Sequence, residues 1–167
     1  MKQLFAMLLL VTSTSCAVRN SLFLLPQDKR LERLQKEKDK LKGQTDPVGR
    51  TKTGIRIAGI LLTLVSDSVK RGDSEVMEAR LGEYVAAIQD AYQTMVQTGR
   101  DARKKPGGFK ELEIALRQHV RQLQDIGGAL SFDQRDPVVK AKEQASNIRD
   151  ELLKALFGSE NAPNRKS

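Results

Sequence analysis

The chain has 167 residues, of which 39% are hydrophobic, 30% are charged and 4% are aromatic. This composition excludes collagen-like, disulfide-rich and wholly disordered classes, and the length is that of a single domain. Lysine and arginine number 29 against 21 aspartate and glutamate residues, which gives a net charge of +8 with the one histidine neutral. The single cysteine cannot form a disulfide within the chain.

The N-terminus has the three parts of a secretory signal, which we assign to residues 1–15. Lys2 gives a positive start, residues 4–11 form an uninterrupted apolar run, and the small polar residues 12–15 precede Cys16. A membrane-spanning helix needs about 20 apolar residues. The shorter run therefore predicts export and does not predict a permanent transmembrane anchor.

The position of Cys16 resembles that in bacterial lipoprotein signals, in which a cysteine after small residues is acylated and becomes the mature N-terminus. Ser13 stands where such signals usually have leucine, and Ser15 is an accepted small residue before the cysteine. The resemblance implies acyl chains such as palmitate on Cys16 and a location at the cell membrane or the outer membrane. Two acyl signals give stable anchoring to a bilayer.

The same residues leave two alternatives open. Ser15 and Ala17 supply the small side chains that an ordinary signal peptidase reads. Cleavage after Ala17 would remove Cys16 and give a secreted or periplasmic protein. If the apolar run is not a signal, the protein stays in the cytosol.

Residues 16–45 are predicted to form a charged helical stem, with its helix over residues 27–42. The sparse apolar positions of this stem fall at coiled-coil a and d spacing, with a lysine at one a position: Leu24, Leu31, Leu34, Lys38 and Leu41. Between a coiled coil and a solvated helix, we favour the solvated helix, whose thin apolar stripe would pack against the main body. Such a helix would extend the body about 25 Å from an anchor.

The first helix of the main body is predicted from Asp46 and Pro47 to about Arg71. Asp46 is a helix cap, Pro47 suits the first helical position, and Gly72 can adopt the left-handed conformation that ends a helix. Its apolar residues between positions 55 and 65 cover an arc of about 220° at 100° per residue. The helix is therefore expected to lie centrally or to contribute to a protein interface, including one between copies of this chain.

Three further helices follow and complete an all-α fold. The second starts near Asp73 and ends near Thr98, and its clean apolar stripe predicts an antiparallel hairpin with the first. Residues 109–130 form the third helix, and the fourth runs from a cap at Asp136 to Gly158, giving a second hairpin. The predicted fold is a small helical bundle of two antiparallel hairpins at 46–158, preceded by the stem and followed by a fraying tail at 159–167.

The sequence provides little catalytic chemistry. His119 lies on the apolar stripe of the third helix, so we expect a packed, hydrogen-bonded histidine rather than a base or a ligand. The stretch 49–54 resembles a phosphate loop superficially, but Ile55 stands where that loop needs lysine. We expect no enzymatic activity, no metal and no cofactor.

The densest cluster of positive charge lies between the second and third helices. We call five side chains the basic patch: Arg100, Arg103, Lys104, Lys105 and Lys110. In an exported protein such a patch is suited to anionic lipid head groups or to an acidic polymer of the envelope. In a cytosolic protein it would suit nucleic acid, but aromatic residues interleaved for base stacking are missing.

The region from Asp46 to Phe157 is similar to an uncharacterised group of exported bacterial all-helical proteins. The resemblance is carried by four short stretches at residues 45–47, 99–106, 108–112 and 151–157. It implies the same helix boundaries and implies nothing about activity.

Together these observations predict a non-catalytic lipoprotein of the cell envelope that acts as a helical binding or scaffolding domain. One alternative is a secreted or periplasmic peptide-binding module resembling a helical repeat, which an open apolar groove would favour. The other is a basic nucleic-acid-binding protein of the cytosol.

Overall fold

The computed structural model describes residues 26–158, so the predicted signal segment, Cys16, the first part of the stem and the tail at 159–167 lie outside the described residues. Within the described range the chain forms five α-helices and a short 3₁₀ turn, without a strand. The helices are α1 (Pro26–Gly43), α2 (Pro47–Arg71), α3 (Ser74–Val96), α4 (Phe109–Gly128) and α5 (Asp136–Phe157), with the 3₁₀ turn at Phe132–Gln134. The predicted all-α fold is confirmed.

Local capping chemistry fixes both ends of α2 as predicted. The Asp46 carboxylate accepts a hydrogen bond from the Gly49 N–H at 2.6 Å, which satisfies one of the unpaired donors at the helix start. At the other end Gly72 adopts φ 73° and its N–H donates to the Val69 carbonyl. Only glycine takes this left-handed conformation without strain, so the chain turns here into α3.

The helix α2 lies at the centre of the bundle and packs against α1, α3 and α4. Leu61, Leu62 and Val65 are fully buried, as the wide apolar arc predicted. The helices α2 and α3 approach each other closely because small residues face each other between them. A Cβ added at Gly54 would lie 3.1 Å from the Ala91 Cβ.

The second hairpin, α4 and α5, packs against the first and closes the core. Leu116 and Leu123 on α4 and Leu152 on α5 are completely buried. The helix α5 lies along α3, and α4 lies along α2. The core is therefore shared by both hairpins rather than formed separately within each.

The helix α1 packs lengthwise against α2 and reaches α3. Leu34 is buried in the common core. Ion pairs connect the rest of α1 to the body. Arg30 pairs with Asp67, Glu37 pairs with Arg56 at 2.9 Å, and Lys38 pairs with Glu83 at 2.6 Å. The described part of the stem thus runs back along the bundle instead of extending it.

Successive helices alternate in direction, which gives the bundle two distinct ends. We call the end where α1 begins the proximal end. It also carries the α2–α3 connection and the α4–α5 connection. The opposite end, which we call the distal end, carries the α1–α2 and α3–α4 connections and the end of α5.

One predicted cap is wrong. Asp136 lies inside the first turn of α5, and the residue before the helix is Arg135, which already has right-handed helical backbone angles. Since the 3₁₀ turn leads directly into the helix, the Val139 N–H bonds to the Arg135 carbonyl at 3.0 Å. The Asp136 carboxylate remains near the positive end of the helix dipole, where it is still favourable.

Candidate functional site

The basic patch lies at the distal end, on the α3–α4 connection and, for Lys110, in the first turn of α4. Asp101 shapes this connection, because its side chain accepts from the Arg103 N–H at 2.9 Å and its carbonyl accepts from the Lys105 N–H at 2.9 Å. Gly108 closes the loop at φ 90°, and its N–H donates to the Glu111 carboxylate at 2.7 Å. The loop is therefore held by its own hydrogen bonds, and its charged side chains are presented from a defined backbone.

The charges of the basic patch are largely uncompensated. The Lys104 ammonium lies 4.0 Å from Asp101, and its side chain is 84% exposed, so this ion pair is weak. Among the described residues, Arg100, Arg103, Lys105 and Lys110 form no ion pair. Four of the five patch residues are exposed and Arg100 is half-buried. Because carboxylates do not neutralise most of these charges, together they give this surface a positive electrostatic potential.

The fold brings a second basic segment to the same end as the patch. The α1–α2 connection at residues 38–52 and the α3–α4 connection at 99–111 together carry ten basic and four acidic residues. Some of the added cations are neutralised locally, with Arg50 3.4 Å from Asp90 and Lys52 3.3 Å from Glu111. The excess of positive charge at the distal end remains large.

The proximal end has the opposite balance. The start of α1 and the two connections with their flanking turns, residues 26–33, 66–75 and 125–136, together carry six basic and eight acidic residues. The bundle is therefore electrically polar along its length, with a basic distal end and a mildly acidic proximal end. The basic patch was predictable from the sequence, but this polarity was not, because it depends on which connections share an end.

His119 is buried, as predicted, but the expectation that it is hydrogen-bonded is wrong. Its Nδ1 and the hydroxyl of Tyr84 are buried atoms that have no hydrogen-bond partner among residues 26–158. The two rings meet edge to face with centroids 5.6 Å apart. Burial lowers the pKa of His119 to about 4 and raises the pKa of the Tyr84 hydroxyl well above its usual value. Both side chains are therefore neutral near pH 7 and serve mainly to pack the core.

A buried charged group that was not predicted from the sequence lies inside the second hairpin. Glu113 is 3% exposed, and its carboxylate accepts from Arg117 at 2.7 Å and from Arg149 on α5 at 3.3 Å. The spacing of Glu113 and Arg117 by one helical turn was readable in the sequence. The contact between Glu113 and Arg149 could not be predicted from the sequence, because it depends on how α4 and α5 pack. This cluster joins two helices and is not open to a substrate.

A surface groove of about 370 Å³ lies between α3 and α5. Its lining includes Leu81, Gly82 and Ala141 as well as the charged residues Glu78 and Lys140. The two helices remain in contact along the groove, so the bundle is closed beneath it. A surface groove lined by both apolar and charged side chains is the kind of surface that a peptide-binding module would use.

Three further findings bear on catalysis and membrane insertion. Among residues 26–158 there is no group of three or more histidine, cysteine, aspartate or glutamate residues placed to hold a metal ion. The stretch 49–54, which resembled a phosphate loop, lies within the helix α2. No helix in the described part of the chain is long and apolar enough to cross a membrane.

Comparisons with known proteins provide no relative from which a function could be transferred. No protein-family model matches the chain. Searches of curated proteins and of solved structures find no match either.

Proposed function

We propose that the protein is exported, held on a membrane by acylation of Cys16, and acts as a non-catalytic binding domain for an anionic partner in the cell envelope. The observation that carries the binding role is the exposed basic patch at the distal end. A shallow, charged surface is suited to a flexible polyanion, whose recognition needs matching charge more than a deep cavity.

The arrangement of the patch supports this role. Four of its residues belong to a loop fixed by Asp101, Gly108 and Glu111, and Lys110 belongs to the first turn of α4, so few backbone degrees of freedom are lost when a partner binds. Because its charges are exposed and mostly unpaired, an anion gains attraction without first breaking strong internal ion pairs. The acidic proximal end would also orient an approaching polyanion toward the distal end.

The anchor is tested by the intact mass of the mature protein from membrane and soluble fractions. We expect a lipid-sized increase in mass on a chain that begins at Cys16, confined to the membrane fraction and lost in Cys16→Ala. A soluble, unmodified chain that begins after Ala17 would show that the protein is secreted and is not anchored. An uncleaved chain in the cytosol would instead support the nucleic-acid-binding alternative.

Binding is tested with inorganic polyphosphate as the probe, by titration calorimetry at several salt concentrations. The double variant Lys104→Glu/Lys105→Glu is compared with Lys36→Glu/Lys140→Glu, which changes the net charge equally at sites outside the patch. We expect about tenfold weaker binding for the patch variant, a smaller loss for the control, and affinity that falls steeply with salt. Equal losses in both variants would show that net charge alone attracts the polymer and would contradict a localised site.

The groove between α3 and α5 supports a second candidate function, a secreted peptide-binding module. In that case the lining residues Leu81 and Ala141 would contact apolar side chains of an extended or helical peptide. The test is binding to an array of synthetic peptides by the unmodified protein and by Gly82→Leu, which fills the groove. Peptides retained by the first and released by the second would favour this function. Equal retention of peptides by the unmodified protein and by Gly82→Leu would exclude the groove as a peptide-binding site.

A further inference from the structure

Phe132 is the most exposed large apolar side chain of the described residues, with 88% of its surface accessible. It lies in the 3₁₀ turn between α4 and α5, at the proximal end. The turn is held on both sides. Gln134 accepts from the Ser131 hydroxyl at 2.9 Å and donates to the Ser74 hydroxyl at 3.3 Å, and the Arg135 guanidinium donates to the Leu130 carbonyl at 2.9 Å. The phenyl ring is therefore presented to solvent from a constrained backbone.

A single exposed apolar side chain is ordinary on a protein surface, so the importance of Phe132 depends on what else lies at its end of the bundle. The helix α1 begins at Pro26, at this same end, where Arg30 pairs with Asp67 near the end of α2. The chain therefore leaves the bundle toward Cys16 from the end that carries Phe132. Val76, in the first turn of α3, adds a second partly exposed apolar side chain there.

The length of chain between the anchor and the bundle limits where the bundle can lie. Nine residues, 17–25, separate Cys16 from Pro26, and they include the apolar run Leu22–Leu25. The ten steps of the chain from Cys16 to Pro26 span about 36 Å at most, and only when fully extended. The helix α2 has 25 residues, so the distal end lies about 37 Å from the proximal end at 1.5 Å per residue. An acyl anchor at Cys16 therefore favours contact between the bilayer and the proximal end.

We propose that the proximal end docks on the bilayer that holds the acylated Cys16, with Phe132 inserted at the boundary between head groups and acyl chains. This inference rests on the proposed lipid anchor. The excess of acidic residues at this end indicates that apolar insertion, and not attraction to anionic lipid, provides the contact. The docked bundle stands on the membrane and presents the basic patch away from it, toward the surrounding envelope.

The absence of tryptophan from the chain allows a direct test. Among the described residues, the two phenylalanines with the largest exposed fractions lie at opposite ends, since Phe157, 60% exposed, is the last residue of α5 at the distal end. Each is replaced in turn, giving Phe132→Trp and Phe157→Trp as matched reporters. The mature chain, beginning at Cys16, is coupled through its only thiol to a maleimide lipid in phosphatidylcholine vesicles that contain brominated acyl chains.

We expect about a twofold loss of tryptophan fluorescence and a blue shift for Phe132→Trp, and an unchanged spectrum for Phe157→Trp. Quenching of both reporters would mean that the bundle lies on its side, and quenching of Phe157→Trp alone would mean that the distal end faces the lipid. Quenching of neither would mean that the bundle does not touch the bilayer. Each of these three results overturns the inference.

Self-association is the competing explanation for an exposed Phe132. Light scattering of the uncoupled protein measures it, and a dimer that dissociates in Phe132→Ser would overturn the membrane assignment. The chemical coupling makes this test independent of acylation in the cell. A missing lipid mass on Cys16 would therefore refute the proposed anchor without changing the spectra, whereas the wrong quenching pattern would refute the docking geometry alone.

Discussion

His119 is a buried histidine whose neutral form is favoured by the fold, and this makes stability depend on pH. Its pKa is about 4 in the folded protein against an ordinary value of 6.5. Between these values the unfolded chain binds a proton that the folded chain does not bind. The contribution of neutral His119 to the free energy of unfolding is therefore fully present above pH 6.5. It falls as the pH falls, and the loss is about 3 kcal/mol at pH 4.

The measurement is the free energy of unfolding in urea as a function of pH, for the natural chain and for His119→Leu. We expect the decline between about pH 6.5 and 4.5 to be much flatter in the variant, because the chain has no other histidine. Parallel curves would show that His119 is not the titrating group.

Glu113 is the buried carboxylate that joins α4 to α5 through Arg149. Removing it in Glu113→Ala leaves the Arg149 guanidinium, whose side chain is only 21% exposed, without its anion. We expect a loss of about 3 kcal/mol in the free energy of unfolding. The double variant Glu113→Leu/Arg149→Leu removes both charges and should stay within about 1 kcal/mol of the natural chain. A double variant as unstable as Glu113→Ala would mean that packing, not the unpaired charge, causes the loss.

At the scale of helices, the contact between α2 and α3 depends on the absence of a side chain at Gly54. An ideal Cβ there lies 3.1 Å from the Ala91 Cβ and 3.5 Å from the Ala87 carbonyl oxygen. We expect Gly54→Val to force the helices apart and to cost about 2 kcal/mol of stability.

Gly82, on an exposed part of α3, provides the matched control, because nothing lies within 4 Å of a Cβ at that position. Gly82→Val should be neutral or stabilising by a few tenths of a kcal/mol, since valine is a better helix former than glycine. The measurement is the free energy of unfolding of both variants in urea, each compared with the natural chain. If they change stability by the same amount, helix propensity rather than helix packing sets the effect.

At the scale of the whole molecule, stability depends on the core that both hairpins share around α2. Leu61 is fully buried there, and an aspartate in its place would put an unpaired carboxylate among apolar side chains. We expect Leu61→Asp to lose at least about 4 kcal/mol, a large part of the stability of a domain this size, and to melt far below the natural chain.

The control for this variant is Ile60→Asp, on the adjacent, partly exposed face of α2 that lines a groove with Arg56. It should cost much less, because water and Arg56 can solvate the new carboxylate. Circular dichroism gives the melting temperature, and light scattering gives the mass. A normal melting temperature and an unchanged mass for Leu61→Asp would refute a core centred on α2.

The sequence by itself determined the helices and their buried faces, because the evidence for both is local. A cap such as Asp46, a left-handed glycine such as Gly72 and apolar spacing of three and four residues act within one or two turns of the chain. The predicted cap at Asp136 was wrong because the 3₁₀ turn before the helix, rather than the Asp-Pro pair, sets the helix start.

Tertiary structure alone decided which residues share a surface. Glu113 and Arg149 are 36 residues apart and meet only because α4 and α5 are antiparallel. The charge polarity arises in the same way, since the alternation of helix directions brings residues 38–52 to the same end as 99–111. Whether a charge is buried, paired or added to a common field depends on distances between helices, and helical periodicity along one segment contains no information about those distances.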